Sequence, residues 1–193
     1  MKELVFLLEE RSARALLESL LPRLLTPEIS FRLVPFEGKQ DLENQLARKI
    51  RGYQNRSARF VVVRDLDSHP NCIDLKARLI GLCQQSGRGH ECLVRLACTE
   101  LEAFYLADLQ AVEDALNLTG LSSKQASKKF RSPDRLGSPS HELKILTLNR
   151  YEKVAGSRAI GHRLALDNER SRSFRNLVAG IRRMEAELIG SPE

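Results

Sequence analysis

The chain lacks the marks of several common protein classes. No apolar run approaches the ~20 residues that a helix needs to cross a bilayer, so no membrane span is expected. The first apolar run, Leu4 to Leu8, is interrupted by Glu9 and Glu10, too soon for a secretory signal. The expected location is the cytoplasm. Cysteines stand at 72, 83, 92 and 98 with no Cys-x-x-Cys pair, which argues against a zinc site or a disulfide framework and for reduced, mostly buried thiols. His69, His90, His141 and His162 are scattered, with no i, i+4 pair that could ligate a metal from one helix face. His69 follows Asp67 closely enough to line the same site, but reads better as a solvated loop residue. No internal repeat is evident.

What is present is the composition of an ordinary folded domain. Of 193 residues, 42% are hydrophobic and 29% charged, enough to bury a core without staples. Net charge is +6. Its excess lies late in the chain, in Lys124, Lys128, Lys129, Arg131 and Arg135 and in arginines at 158, 170, 172 and 175. Such a footprint is compatible with nucleic-acid binding and is also common on proteins that bind none.

Periodicity alternates strand with helix. Leu4–Leu8 reads as a buried strand and Ser12–Leu25 as a helix shortened or kinked by Pro22. Ile29–Phe36 alternates as a strand, and Asp41–Tyr53 carries Leu42, Leu46 and Ile50 in helical register. Phe60 to Val63 is a β-branched and aromatic run that suits a strand covered on both faces. A helix follows over Ile73–Gln84, then a strand over Glu91–Cys98. The alternation predicts an α/β fold with a mainly parallel four-stranded sheet flanked by helices, Rossmann-like in type. Residues 1–110 form this core. A helix is expected over Leu101–Leu106 at the end of this core, and residues 111–193 form a basic, mostly helical extension packed on it, with helices expected over Val112–Leu116, Glu142–Leu148, Arg158–Ala165 and Ser173–Leu188. Ser122–Ser140 reads as an exposed insertion, and Gly190–Glu193 as a frayed tail.

Acids close the predicted strands. Glu9 follows the first, Asp65 and Asp67 the third, and Glu100 and Glu102 the fourth. Strand alternation puts Asp65 and Asp67 on one side, and parallel strands put all these carboxylates on one rim, where open α/β sheets bind ligands. Two carboxylates about 5 Å apart repel by roughly 3 kcal/mol at an effective dielectric of 20; a proton, a basic side chain, solvent or a divalent cation must offset that. The competing reading makes the aspartates turn or cap residues ahead of the helix near Asn71.

The order Glu, then Asp-x-Asp, then Glu resembles the Toprim domain of topoisomerases, DnaG-type primases and the overcoming-lysogenization-defect nucleases. More narrowly, the chain is similar to a bacterial family of stand-alone Toprim-like proteins, often encoded beside an ATPase. The matching pieces are Leu8-Glu9-Glu10-Arg11-Ser12-Ala13, Val63-Arg64-Asp65-Leu66-Asp67, Glu102 to Asp108, and Tyr151-Glu152-Lys153. The resemblance implies that Glu9, Asp65, Asp67 and Glu102 hold Mg²⁺ or Mn²⁺, with Glu100 able to substitute for Glu102. It also implies that Lys153 stabilises phosphoryl charge. Asp108 reads as a helix cap, and Tyr151 as a packing residue rather than a nucleophile. Two positions depart from the family's hydrophobic-Glu-Gly-x-Thr-Glu motif. Glu10 replaces the glycine, and Ala13 replaces the second acid, which puts a second metal site in doubt.

Three functions follow as expectations. The first is a metal-dependent nuclease acting on DNA, set in defence against phage or mobile elements with an ATPase partner, either as a monomer or as a homo-oligomer. The second is a catalytically degenerate, regulatory subunit of that ATPase. The third is a receiver-like phosphoacceptor, which would need a lysine at the end of a later strand; none of the predicted strands ends that way.

Overall fold

The computed structural model describes residues 2–190; of the tail expected over 190–193, Gly190 instead ends the last helix and the rest lies outside the described residues. Four parallel strands form one sheet in the order β2-β1-β3-β4. They are β1 (Glu3–Leu8), β2 (Ser30–Pro35), β3 (Arg59–Asp65) and β4 (Cys92–Ala97). The two central strands are the two most continuous apolar runs, buried on both faces, as parallel interior strands require. The edge strand β2 alternates and is largely exposed, and its Pro35 stands at the strand end, where a missing N–H costs no central ladder bond.

Side-chain alternation splits the interior into two cores. Leu4, Phe6, Leu8, Val61 and Val63 point to one face. Val5, Leu7, Phe60 and Val62 point to the other, where they meet Leu42, Leu46 and Ile50 of α2 (Lys39–Arg51) and Leu75, Leu79 and Cys83 of α3 (Cys72–Gln85). The first face is covered by α1 (Arg11–Leu24) and by much of the later chain. That later chain comprises α4 (Glu102–Leu106), α5 (Leu109–Ala115), α6 (Pro139–Leu146), α7 (Lys153–Gly161) and α8 (Arg172–Gly190). Phe174, Leu177, Ile181 and Met184 of α8 and Ile160 of α7 share one cluster with Phe6 and Val63. The late helices are therefore half of the main core.

Three local expectations need correction. Pro22 sits in the last turn of α1, which continues to Leu24. The insertion over 122–140 is not simply exposed: Leu121, Phe130 and Pro133 are buried. Gln125 pins it, accepting from the Leu109 amide at 2.7 Å and donating to the carbonyls of Leu106 and Phe130 at 3.1 and 2.8 Å. Helix α7 starts at Lys153, not Arg158. The Tyr151 ring lies so close to this helix that a Cβ on Gly156 would meet it at 2.5 Å. Glycine there lets the helix begin early against an aromatic ring.

The sheet order sets where a ligand can enter. From β1 the chain moves to β2 on one side, then crosses back to β3 on the other. The turnover lies between β1 and β3. In open α/β sheets the crevice at the carboxyl ends of such strands is the binding position, and Glu9 and Asp65 stand on its two sides.

Candidate active site

Backbone bonds fix the two lips of this crevice. The Glu9 amide donates to the Val63 carbonyl at 3.3 Å, and the segment after β2 donates from Gly38 to the Glu9 carbonyl at 3.0 Å. The Glu9 carboxylate then reaches across: its Oε2 accepts the Asp65 amide at 3.1 Å. Burial pushes the Glu9 carboxyl above its ordinary range, an effect partly offset by that amide and reinforced by the Asp67 charge.

Asp65 carries the largest electrostatic load. Residues 61, 63 and 65 share a face, so its side chain enters the α1/α4 side of the sheet. Its carboxyl is raised well above the ordinary aspartate value, by desolvation first and then by the carboxylates of Glu102, Glu9 and Glu10; the Leu101 backbone amide offsets this only in part. Lys153 feels the Asp65 charge in turn. Two acids of the fourth-strand end divide their work. Glu100 accepts the Ser140 amide at 2.7 Å at the start of α6, whereas Glu102 is buried and accepts the Tyr151 hydroxyl at 2.9 Å. Burial raises the Glu102 carboxyl too, against the lowering pull of Lys153 and Tyr151.

Asp67 departs from strand geometry. β3 ends at Asp65, and Asp67 adopts a left-handed φ of 52°, a region that aspartate tolerates better than most residues. Its amide donates to the Thr99 carbonyl at 2.6 Å. Its carboxylate meets Lys39 Nζ at 3.2 Å, at the start of α2 on the other face. The Asp-x-Asp spacing thus does not set the two carboxylates side by side as in a continuous strand. Neither caps α3, since Asn71 takes that role by accepting from the Ile73 amide at 2.9 Å.

Lys153 lies at the first turn of α7, its Nζ 2.7 Å from Glu10 Oε1. Glu10 also accepts the Ser12 hydroxyl at 2.6 Å. The Lys153 ammonium is raised overall: burial opposes its charge, but Glu10, Glu102 and Asp65 outweigh that. Ala13, where the family motif carries an acid, is buried in the core. Asp108 caps α5 through the Ala111 amide at 3.1 Å and also accepts the Ala165 amide at 2.9 Å.

Glu9, Asp65, Glu102, Glu10 and Lys153 therefore surround one rim, with Asp67 held beside it by Lys39. The donor set is all oxygen, the kind that hard divalent cations take, and the Asp65 carboxyl is crowded by those of Glu102, Glu9 and Glu10. Both features fit such an ion. Among the described residues, no group of three or more His, Cys, Asp or Glu side chains stands where it could hold a metal ion.

Several partners carried no sequence signal. Arg64, almost fully buried, pairs with Glu43 and lies 3.7 Å from Glu9. Glu43 also pairs with Arg78. Tyr105 is fully buried, and among the described residues no partner stands in hydrogen-bond geometry to its hydroxyl. Of the basic residues expected to bind nucleic acid, Lys128, Lys129, Arg131 and Arg135 line one cavity of about 450 Å³. Lys124 is outside that lining, in a 3-10 turn, and Lys129 is 2.5 Å from Glu142. Another cavity, of about 470 Å³, runs beside β1 and the end of α2. Its carboxylate, Glu3, is already engaged by Tyr53 at 2.9 Å and Asn55 at 3.0 Å.

The fold is that of a Toprim-like α/β domain. The C-terminal region of the Burkholderia pseudomallei OLD protein superposes with a TM-score of 0.52 at 20% identity, covering 96% of this chain and 98% of that one. The family model described as a domain of unknown function (DUF4276) matches residues 8–182, and the chain belongs to that family. No curated protein matches it.

Proposed function

We propose that the protein is a divalent-metal-dependent nuclease of Toprim type. The observation that carries this reading is the meeting of Glu9 and Asp65 across the strand-order reversal, with Glu102, Glu10 and Lys153 around them. Glu9, Asp65 and Asp67 would hold Mg²⁺ or Mn²⁺, with Glu102 beside them. The ion, when bound, would polarise a phosphodiester and favour attack by water.

The chain's own groups supply the rest. The Asp65 amide fixes the Glu9 carboxylate by its 3.1 Å bond, so that side chain needs no reordering when a phosphate arrives. Glu102, kept in its proton-bound form longer than an ordinary glutamate, can donate to a leaving oxygen and is oriented by Tyr151. Lys153 can turn from Glu10 toward a phosphoryl oxygen and stabilise its charge. The basic lobe would hold the flanking backbone of DNA. By family resemblance the setting is defence against phage or mobile DNA with an ATPase partner.

Purified protein should nick supercoiled plasmid with Mg²⁺ or Mn²⁺, and Asp65→Asn should abolish nicking. A wild-type protein that leaves plasmid intact with either ion, alone and with the ATPase, would sink this reading. One observation favours the alternative of a regulatory, non-catalytic subunit. Lys153 is neutralised by Glu10, which stands where the family motif has glycine. Tight ATPase binding without metal-dependent cleavage would select that alternative.

A further inference from the structure

A groove of about 1060 Å³ runs between α3, the outer edge of β4 and the amino-terminal end of α8. Five cations line it: Lys76, Arg95, Arg135, Arg170 and Arg172. The one carboxylate in its wall, Asp134, is committed to the start of α8, accepting the Ser173 amide at 2.8 Å and the Ser171 hydroxyl at 2.6 Å. Among the described residues none of the five cations forms an ion pair.

Arg95 is the sharpest of these. Its guanidinium donates only to main-chain carbonyls, Asn176 at 2.9 Å and Val94 at 3.0 Å. It lies over α8 where Gly180 leaves room, since a Cβ there would stand 2.7 Å from a guanidinium nitrogen. Burial and the nearby Arg183 charge pull its proton affinity down. A half-buried cation without a counter-charge is costly to keep. An anion entering the groove would offset that cost.

The groove is continuous with both features described above. It reaches Cys98, one residue past Ala97, the register partner of Asp65. It also shares Ser132 and Arg135 with the cavity lined by Lys128 and Arg131. Exposed Ile73 and the partly exposed Ile80 give it an apolar floor beside the charges.

We infer that this groove is a track for the phosphate backbone of a nucleic-acid strand, leading along the β4 edge to the acidic rim. The inference rests on the nuclease reading for its direction toward the rim, but the binding itself needs no cleavage. A strand tracked in this way follows the sum of its phosphate contacts and not its base sequence.

Fluorescence anisotropy with a labelled 20-nucleotide strand, and with the matching duplex, in EDTA tests it. The variant pairs Lys76→Glu with Arg172→Glu, both exposed and therefore tolerated by the fold. A charge-matched control pairs Arg48→Glu with Lys49→Glu on α2, and melting curves check that both fold. The groove variant should weaken binding at least ~10-fold and lower the salt slope by about 2, one per lost phosphate contact. The control should change it less than about 2-fold. Wild-type protein that binds neither probe, a groove variant that binds like wild type, or a control that loses as much would each overturn the groove. Groove-dependent binding with no metal-dependent nicking counts against the nuclease reading alone. Unchanged binding with nicking intact counts against the groove alone.

Discussion

Glu10 grips Lys153 across 143 residues of sequence, with both carboxylate oxygens within 2.8 Å of the ammonium. This contact closes α7 onto the first residues after β1. It also pairs the Lys153 ammonium at the rim with a carboxylate. Glu10 thus supplies the counter-charge of Lys153.

Removing the grip should free the lysine. Glu10→Gln should strengthen inhibition of nicking by inorganic phosphate severalfold. The same variant should lower KM for plasmid more than it changes kcat. Stability should shift by less than about 1 kcal/mol, because the pair is half exposed. Weaker phosphate inhibition in Glu10→Gln would show that Glu10 helps the site rather than blocking it.

Asp65 should make the metal-free protein sensitive to alkali. Its carboxyl, with those of Glu9 and Glu102, is raised in the folded chain. Between the ordinary carboxylate value near 4 and these raised values, the folded state holds protons that the unfolded chain has released. Stability therefore falls as pH rises through that window, and the penalty is complete above it. In EDTA, Asp65→Asn should raise Tm at pH 8, with the gain vanishing on acidification below the window. Mg²⁺ should raise Tm of the wild type and not of the variant. A lower Tm for Asp65→Asn at pH 8 would contradict this balance.

Tyr151 should be measurable through Gly156. A methyl at Gly156 would strike the Tyr151 ring at 2.5 Å, so Gly156→Ala should cost about 1–3 kcal/mol by overpacking, read from urea unfolding. Tyr151→Phe keeps the ring and loses the hydroxyl's bonds to Glu102, Ser157 and the Lys153 carbonyl. It should cost about 1–3 kcal/mol, the usual penalty when a buried polar group loses its partner. The alkaline limb of the nicking pH profile, set by loss of the Glu102 proton, should move to higher pH. An unmoved profile would mean that Glu102 takes no part in proton transfer.

Arg64 should behave as a structural charge under the site. It is buried with Glu43 and near Glu9. Arg64→Met leaves Glu43 with Arg78 alone, and should cost about 3 kcal/mol, at the lower end of what breaking a buried pair costs. Its counterpart Arg78→Met, at an exposed arginine, should cost less than about 1 kcal/mol. Equal losses from the two, by urea unfolding, would contradict the assignment.

Much of this molecule is legible along the chain because its causes are local. The continuous apolar runs at 4–8 and 60–63 can only be doubly covered strands, and their alternation with amphipathic segments requires parallel crossovers. The acids that end those strands follow from the same reading. What the sequence hid depends on partners far apart in it. Asp67 leaves the strand's alternation because a left-handed turn sends it to Lys39. Glu100 and Glu102 separate because one meets the Ser140 amide and the other meets Tyr151. Periodicity reports which face a residue takes, not which charge waits there. The order of strands, and with it the crevice between Glu9 and Asp65, was decided only when the late helices closed half of the core.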